Sequence, residues 1–396
     1  MASDDFLANG DGSRNSRSGK KRLLLNAFDM FTPSHLAFGQ WRNPHDRSRD
    51  KRRDLTYWTD LAKILEKGSF VGYFLADTFG PYDVLWEGSW SDDALREDGA
   101  KGIYAEPSLI RTIKHDGKWH VDAPFIVDPS PQRTPLLFQA GTSAAGMHFG
   151  ATHAEAIFVA GLSPHVVAPR VKAIREKASS LGRDPKSIKI FAMITPIIGT
   201  DEADAERKHR EALEYASEEG GLAQWSASTG IDVSKFDPDH LLTENDLPRE
   251  QWQKLQQSSS YNLQYSGDDV PPLTVRNLGK LVAIGGTGAM PKGSPSQVAD
   301  IFEQWVDIAD VDGFNIAYVV SPGSFEDVSE LLAPELRRRG LLDEPIERDA
   351  PVLTYRERVY GKDQKRLRDD HPGSKYKYET YEKTIQEEDE RARVKP

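Results

Sequence analysis

Cysteine is missing from all 396 residues, so neither a disulfide framework nor thiolate chemistry is available. Basic residues are in deficit: 51 Lys and Arg stand against 62 Asp and Glu, for a formal net charge of −11 and a pI near 5.5. That balance argues against a nucleic acid or an anionic membrane as partner. No apolar run approaches the ~20 residues of a membrane span. The opening MASDDFLANGDGSRNSRSGKKR lacks the apolar stretch of a signal peptide, and the final Val394-Lys395-Pro396 matches no address signal. A cytoplasmic protein is therefore expected, long enough for one large or two ordinary domains.

What is present is a rhythm of strands and helices. Residues 1–20 are polar and read as disordered. Strand candidates follow at 23–28, 70–75, 136–138, 157–159, 188–198 and 313–320. Between them lie helical patterns. Leu55, Trp58, Ala62 and Leu65 fall on one face of a helix that Gly68 ends, and Val167, Val171, Ile174 and Ala178 on one face over 166–181. Residues 201–219 form a charged helix. Val298, Phe302, Trp305 and Ala309 share a face over 295–309, and a last helix spans 325–339. Residues 91–135 read as a long loop with a hairpin near 113–121. Residues 220–290 are polar, rich in Pro and Gly, and read as an insertion with some helix of its own. From about 345 the chain is highly charged and reads as a solvated arm or partner-wrapping extension. Alternating strands and helices imply an α/β fold with a parallel sheet. A closed (β/α) barrel needs eight strands, and six are counted.

The rest is organised around LLFQAGTSAAGMHFG, residues 136–150. An apolar strand ends in Gly141-Thr142-Ser143, and a helix follows. Gly141 permits a sharp turn and close approach of a ligand. Thr142 and Ser143 supply hydroxyls, and the free N–H groups of the helix start point the same way, which suits an anion such as a phosphate. A plain strand-to-helix turn with a Ser/Thr cap is the competing reading. Other chemistry is thin. His148 and His153 match no metal-ligand spacing. Asp92, Asp93, Glu97 and Asp98 read as a solvated loop rather than paired carboxylates. Gly285-Gly286-Thr287-Gly288 resembles a phosphate loop but lacks a strand before it and a helix directly after it. Phe314 and Asn315 read as core and ladder residues.

Several motifs in order carry a family resemblance: NAFDM after the first strand, FLADTFGPYDV after the second, LWEGSWSDDAL, FQAGTSAAG, and GSPSQVADIFEQWVDIADVDGFNI followed by PELRRRG. Over about residues 23–358 the chain resembles the bacterial-luciferase-like flavin monooxygenases, in the branch of nitrilotriacetate and dibenzothiophene-sulfone monooxygenases. The resemblance implies a TIM-type barrel over 21–345. It implies a reaction in which reduced FMN, supplied by a separate NAD(P)H:flavin reductase, and O2 oxidise a small organic substrate. It makes Asp77, at the end of the second strand, a flavin contact, with an N-cap or Asx-turn carboxylate as the alternative. It places Gly141, Thr142 and Ser143 on the phosphate side. His35, Trp41 and Arg42 become candidates for the substrate end, against loop packing for Trp41 and surface pairing for Arg42. No catalytic residue and no metal are implied; a homo-oligomer is.

One departure stands out. In full-length relatives two strand–helix units separate FLAD…YDV from LWEGSW, whereas here Val84 abuts Leu85. At ~30 residues or more per unit, at least ~60 residues are missing. A skipped exon, a gene-model error and a genuine short isoform all produce such a join. A catalytically impaired remnant that only binds or oligomerises is the alternative function.

Overall fold

The structure, a computed structural model, describes residues 21–33, 36–52, 54–76, 89–90, 95–105, 110–111, 135–141, 143–252, 272–286, 288–345 and 353–376. Six strands form its main sheet: β1 (Leu24–Asp29), β2 (Phe70–Leu75), β3 (Phe138–Ala140), β4 (Ala156–Val159), β5 (Lys189–Ile194) and β6 (Gly313–Ile316). They are parallel throughout, in the order β2-β1-β6-β5-β4-β3.

Alternation along the strands gives the sheet two apolar faces. Leu25, Ala27, Ile157, Val159, Ile190, Ala192, Ile194, Phe314 and Ile316 belong to the larger core. That core also takes in buried residues of α1 (Leu55–Lys67), α3 (Pro164–Ser180) and α7 (Pro295–Ala309). It includes a further helix, α8, which runs Gly323–Asp327, through a π turn at Val328–Leu332, into Ala333–Arg338. Leu24, Ala156 and Phe191 face the other way. There the rings of Phe74 and Phe158 lie 4.7 Å apart, and those of Phe138 and Phe158 4.9 Å. Phe74 belongs to one end of the sheet and Phe138 and Phe158 to the other, so the sheet is curled into a half-barrel. The α/β, TIM-type reading and the count of six strands hold. In the main sheet β2 and β3 are the two edge strands. The junction Val84–Leu85 lies outside the described residues, as do residues 1–20 and 113–121.

Several local expectations are corrected. The strand expected over 188–198 stops at Ile194, because Thr195-Pro196 interrupts it, and Ile197–Ile198 pairs instead with Lys292–Gly293. Proline has no N–H for the ladder, which explains the break. The buried face of α1 is Tyr57, Leu61 and Leu65, while Leu55 is 79% exposed. The charged helix is two helices, α4 (Glu202–Tyr215) and α5 (Glu218–Thr229), each capped by the residue before it, Asp201 and Ser217. The stretch expected as a loop contains an antiparallel pair, Leu95–Asp98 with Ile103–Ala105. The insertion has its own core, in which Trp225, Ile231, Val233 and Leu242 pack on Val275, Leu278 and Val282 of α6 (Val275–Val282).

The largest correction concerns the charged tail. Residues 353–376 are not a solvated arm. Helix α9 (Tyr355–Tyr360), with a Thr354/Glu357 capping box, packs on the half-barrel. Arg356 and Glu155, both buried, form two hydrogen bonds of 2.8 Å, and Tyr360 donates to the carbonyls of Glu155 and Ser187. Glu155 and Ser187 precede β4 and β5, so α9 straps the N-terminal rim of the sheet.

Helix α4 carries a titratable group with a testable consequence. His209 is buried beside Lys292, and burial together with that ammonium lowers its pKa from 6.5 to about 4. Between those values the unfolded chain binds a proton that the folded chain refuses, so stability falls as pH drops through this window. The loss approaches an order of about 3 kcal/mol near pH 4. Urea midpoints of the wild type should decline from pH 7 to 5 more steeply than those of His209→Gln; parallel profiles would refute this.

Candidate functional site

In a parallel barrel the loops leaving the C-terminal strand ends build the ligand face. The loop after β1 is held by a buried ionic network. Lys51 donates to Asp29 at 2.5 Å and to the Tyr318 hydroxyl at 2.9 Å. The carboxylate of Asp29 also accepts from Tyr73 (2.8 Å) and from the Met30 N–H (2.7 Å). Both ionic side chains are fully buried. Nearby, Asp46 accepts from the Ser321 N–H (2.9 Å) and from Ser48, while burial raises its pKa. Burial, with Asp29 nearby, pushes the Tyr318 phenol far above its ordinary value. Asp29 follows Leu25 and Ala27 in alternation, so the network sits on the helix side of the sheet. It anchors the loop without facing the concave side.

That anchored loop carries Trp41 and Arg42. Trp41 is buried. Arg42 Nη2 donates to the Tyr215 carbonyl at the end of α4 (2.9 Å), and Gln40 Nε2 to the Ala212 carbonyl (2.6 Å). Ala37 forms a bridge to Ile284, and the Ser217 N–H donates to the Phe38 carbonyl. The loop is thus pinned between α4, α5 and the segment after α6. Arg42 pairs with backbone. His35 lies outside the described residues.

At the end of β3, Gly141 has φ +110, and nothing lies within 4 Å of where its Cβ would stand. Ser143 caps α2 (Ala144–His153): its Oγ accepts from the Gly146 N–H (3.1 Å) and its carbonyl from the Met147 N–H (2.7 Å). The N–H groups of Ala144 and Ala145 have no intrahelical acceptor, as at every helix start. Gly141 and Ser143 are exposed. The two readings of this turn therefore coexist: the serine is a cap, and the uncovered donors suit an anion. Thr142 and Asp77 lie outside the described residues.

At the end of β5, Thr195 is fully buried, and its Oγ1 has no hydrogen-bond partner among the described residues. Gly285 (φ +79) lies beside it, and Gly286 (φ +64) beside Leu36. The glycine-rich stretch thus follows helix α6 and folds over a strand end. Asn315 is a core residue, with its Oδ1 accepting from Asn26 Nδ2 at 2.6 Å, and Phe314 is buried. His148 and His153 belong to no metal cluster among the described residues. Sequence reading missed Lys51, whose partners Asp29 and Tyr318 are remote in the chain, and Thr195, for which Pro196 is the one local sign that a strand ends there.

Comparison with known proteins supplies the family. The family model described as luciferase-like monooxygenase matches residues 99–310. Dimethyl-sulfide monooxygenase of Hyphomicrobium sulfonivorans is 32% identical, over 90% of this chain and 94% of its own. Long-chain alkane monooxygenase of Geobacillus thermodenitrificans is 31% identical, over 90% and 98%. The crystal structure of DmoA from Hyphomicrobium sulfonivorans superposes with a TM-score of 0.71 at 31% identity, covering 90% of this chain and 96% of that one. The branch expected from the motifs is present too: nitrilotriacetate monooxygenase component A of Aminobacter aminovorans is 30% identical over 65% of this chain and 56% of its own. The alignment with the dimethyl-sulfide enzyme runs over 466 residues. Because 90% of 396 is about 356, about 110 of its positions face gaps in this chain. With its half-barrel, its ordered motifs and these matches, the chain belongs to the luciferase-like monooxygenase family.

Proposed function

We propose that this chain is a monooxygenase that takes reduced FMN from a separate NAD(P)H:flavin reductase and uses O2 to oxidise a small organic compound. The observation that carries the reading is the Gly141–Ser143 turn: an uncovered helix start at the C-terminal rim of a family barrel. The residues fit the cofactor. The N–H groups of Ala144 and Ala145 and the side chains of Thr142 and Ser143 would hold the phosphate, and Asp77 would accept a hydrogen bond from the ring or ribityl chain. Bound reduced flavin supplies the electrons that activate O2. The chain's own part is to orient the ring, keep water out, and present substrate. Trp41 and Arg42, pinned by α4, would shape the substrate end together with His35. The relatives named for dimethyl sulfide, long-chain alkanes, dibenzothiophene sulfone and nitrilotriacetate support an organic substrate.

A second reading is favoured by the two edge strands. Among the described residues the sheet ends at β2 and β3, so a non-catalytic remnant that binds or oligomerises is the alternative. Titration separates the two. FMN should bind with Kd on the order of tens of micromolar or tighter, and riboflavin, which lacks the phosphate, about tenfold more weakly, a difference of about 1.4 kcal/mol. No FMN binding in that range, beside clear binding by a full-length relative, rejects the monooxygenase reading. Sequencing the transcript across Val84–Leu85 shows independently whether the short chain is the natural product.

A further inference from the structure

We infer that the Thr195 hydroxyl is a hydrogen-bonding group for the flavin, contacting the part of the cofactor remote from the phosphate turn. The inference rests on the reading above and goes beyond it, because no family motif used there includes this residue.

Alternation places Thr195 on the concave side. Phe191 packs with the inner rings, Ala192 and Ile194 with the outer core, and Thr195 is next in the inward series. It follows the last residue of β5, so it stands at the C-terminal rim, where barrel ligands bind. Its side chain is fully buried, yet Oγ1 has no hydrogen-bond partner among the described residues. Buried hydroxyls are rarely left so, because an unpaired polar group away from water is destabilising. Valine would fill the same volume without that cost. The threonine is therefore a poor choice for the ligand-free fold and a sensible one for a fold that receives a polar atom.

Gly285 packs directly on the hydroxyl: a Cβ there would stand 3.2 Å from Oγ1 and 3.1 Å from the Thr195 Cβ, so a side chain at 285 would crowd it. Gly285 holds φ +79, a conformation glycine adopts without strain. The distance suits. Two strand steps separate β5 from β3, about 10 Å at the usual spacing. A flavin with its phosphate on the Gly141–Ser143 turn would direct its ribityl chain or ring across β4 toward Thr195.

The test compares Thr195→Val and Thr195→Ser with the wild-type full chain by FMN titration and by ligand-free thermal melting. Thr195→Val should bind FMN about tenfold more weakly, Thr195→Ser within about twofold of wild type. Ligand-free Thr195→Val should melt at or above the wild-type temperature, because the orphan hydroxyl is gone. Unchanged FMN affinity in Thr195→Val overturns the inference, as does a lowered ligand-free melting temperature, which would mark the hydroxyl as structural. Wild-type protein that fails to bind FMN refutes the functional reading itself; wild-type binding matched by Thr195→Val refutes the role of Thr195 alone.

Discussion

Arg356→Met should lower the unfolding free energy by about 3–5 kcal/mol, the usual consequence of stripping one partner from a buried ion pair. Arg356 is fully buried, and its fork meets both oxygens of Glu155 at 2.8 Å. Two further guanidinium N–H groups donate to the carbonyls of Pro135 (3.0 Å) and Lys365 (2.9 Å). Removing the guanidinium leaves the buried Glu155 carboxylate without its cation. Against a total stability of about 5–15 kcal/mol, that is a large share. The double variant Glu155→Met with Arg356→Met should recover much of the loss, because a buried pair replaced by apolar volume is often neutral. Recovery would be incomplete. Glu155 Oε2 also accepts from the Leu137 N–H at 3.1 Å, and that donor would then be orphaned. Equilibrium urea unfolding of the four species decides the matter: a single variant within 1 kcal/mol of wild type would show that the pair contributes nothing to the strap.

This strap was invisible in the sequence for a physical reason. A charged, proline-flanked segment looks solvated when its partners are unknown, and the carboxylate that neutralises Arg356 lies 201 residues away. What was legible was local. Val167, Val171, Ile174 and Ala178 on α3, and Val298, Phe302, Trp305 and Ala309 on α7, are all buried as their spacing requires. The six strands were legible because parallel strands buried on both faces read as apolar runs. Leu55 misled because helix phase at a first turn is poorly fixed by one residue. At the site the turn at Gly141 and Ser143 was legible from its glycine and hydroxyl. The Lys51–Asp29 pair and Thr195 were not, since each acquires meaning only from strands that tertiary pairing brings together. The family motifs supplied what periodicity could not.

Tyr355→Ala should cost about 3 kcal/mol, the low end for removing an aromatic side chain from a core. The ring enters the concave side of the half-barrel, 5.6 Å from that of Phe138, and its hydroxyl donates to Asn26 Oδ1 at 2.9 Å. Tyr355→Phe keeps the ring and loses only the hydrogen bond, so it should cost about 1 kcal/mol. The ring occupies space that an edge strand leaves for it. A Cβ on Gly72 of β2 would stand 2.3 Å from the Tyr355 Cζ, far inside contact distance. Gly72→Ala must therefore expel the ring and should cost nearly as much as Tyr355→Ala. In the Tyr355→Ala background the ring clash is gone and the methyl still meets Asn26 Oδ1 at 2.7 Å, so the two losses should fall short of additivity by about 1–3 kcal/mol. Strictly additive losses would mean that the ring does not rest on Gly72. The strap would then cover the rim without filling the floor.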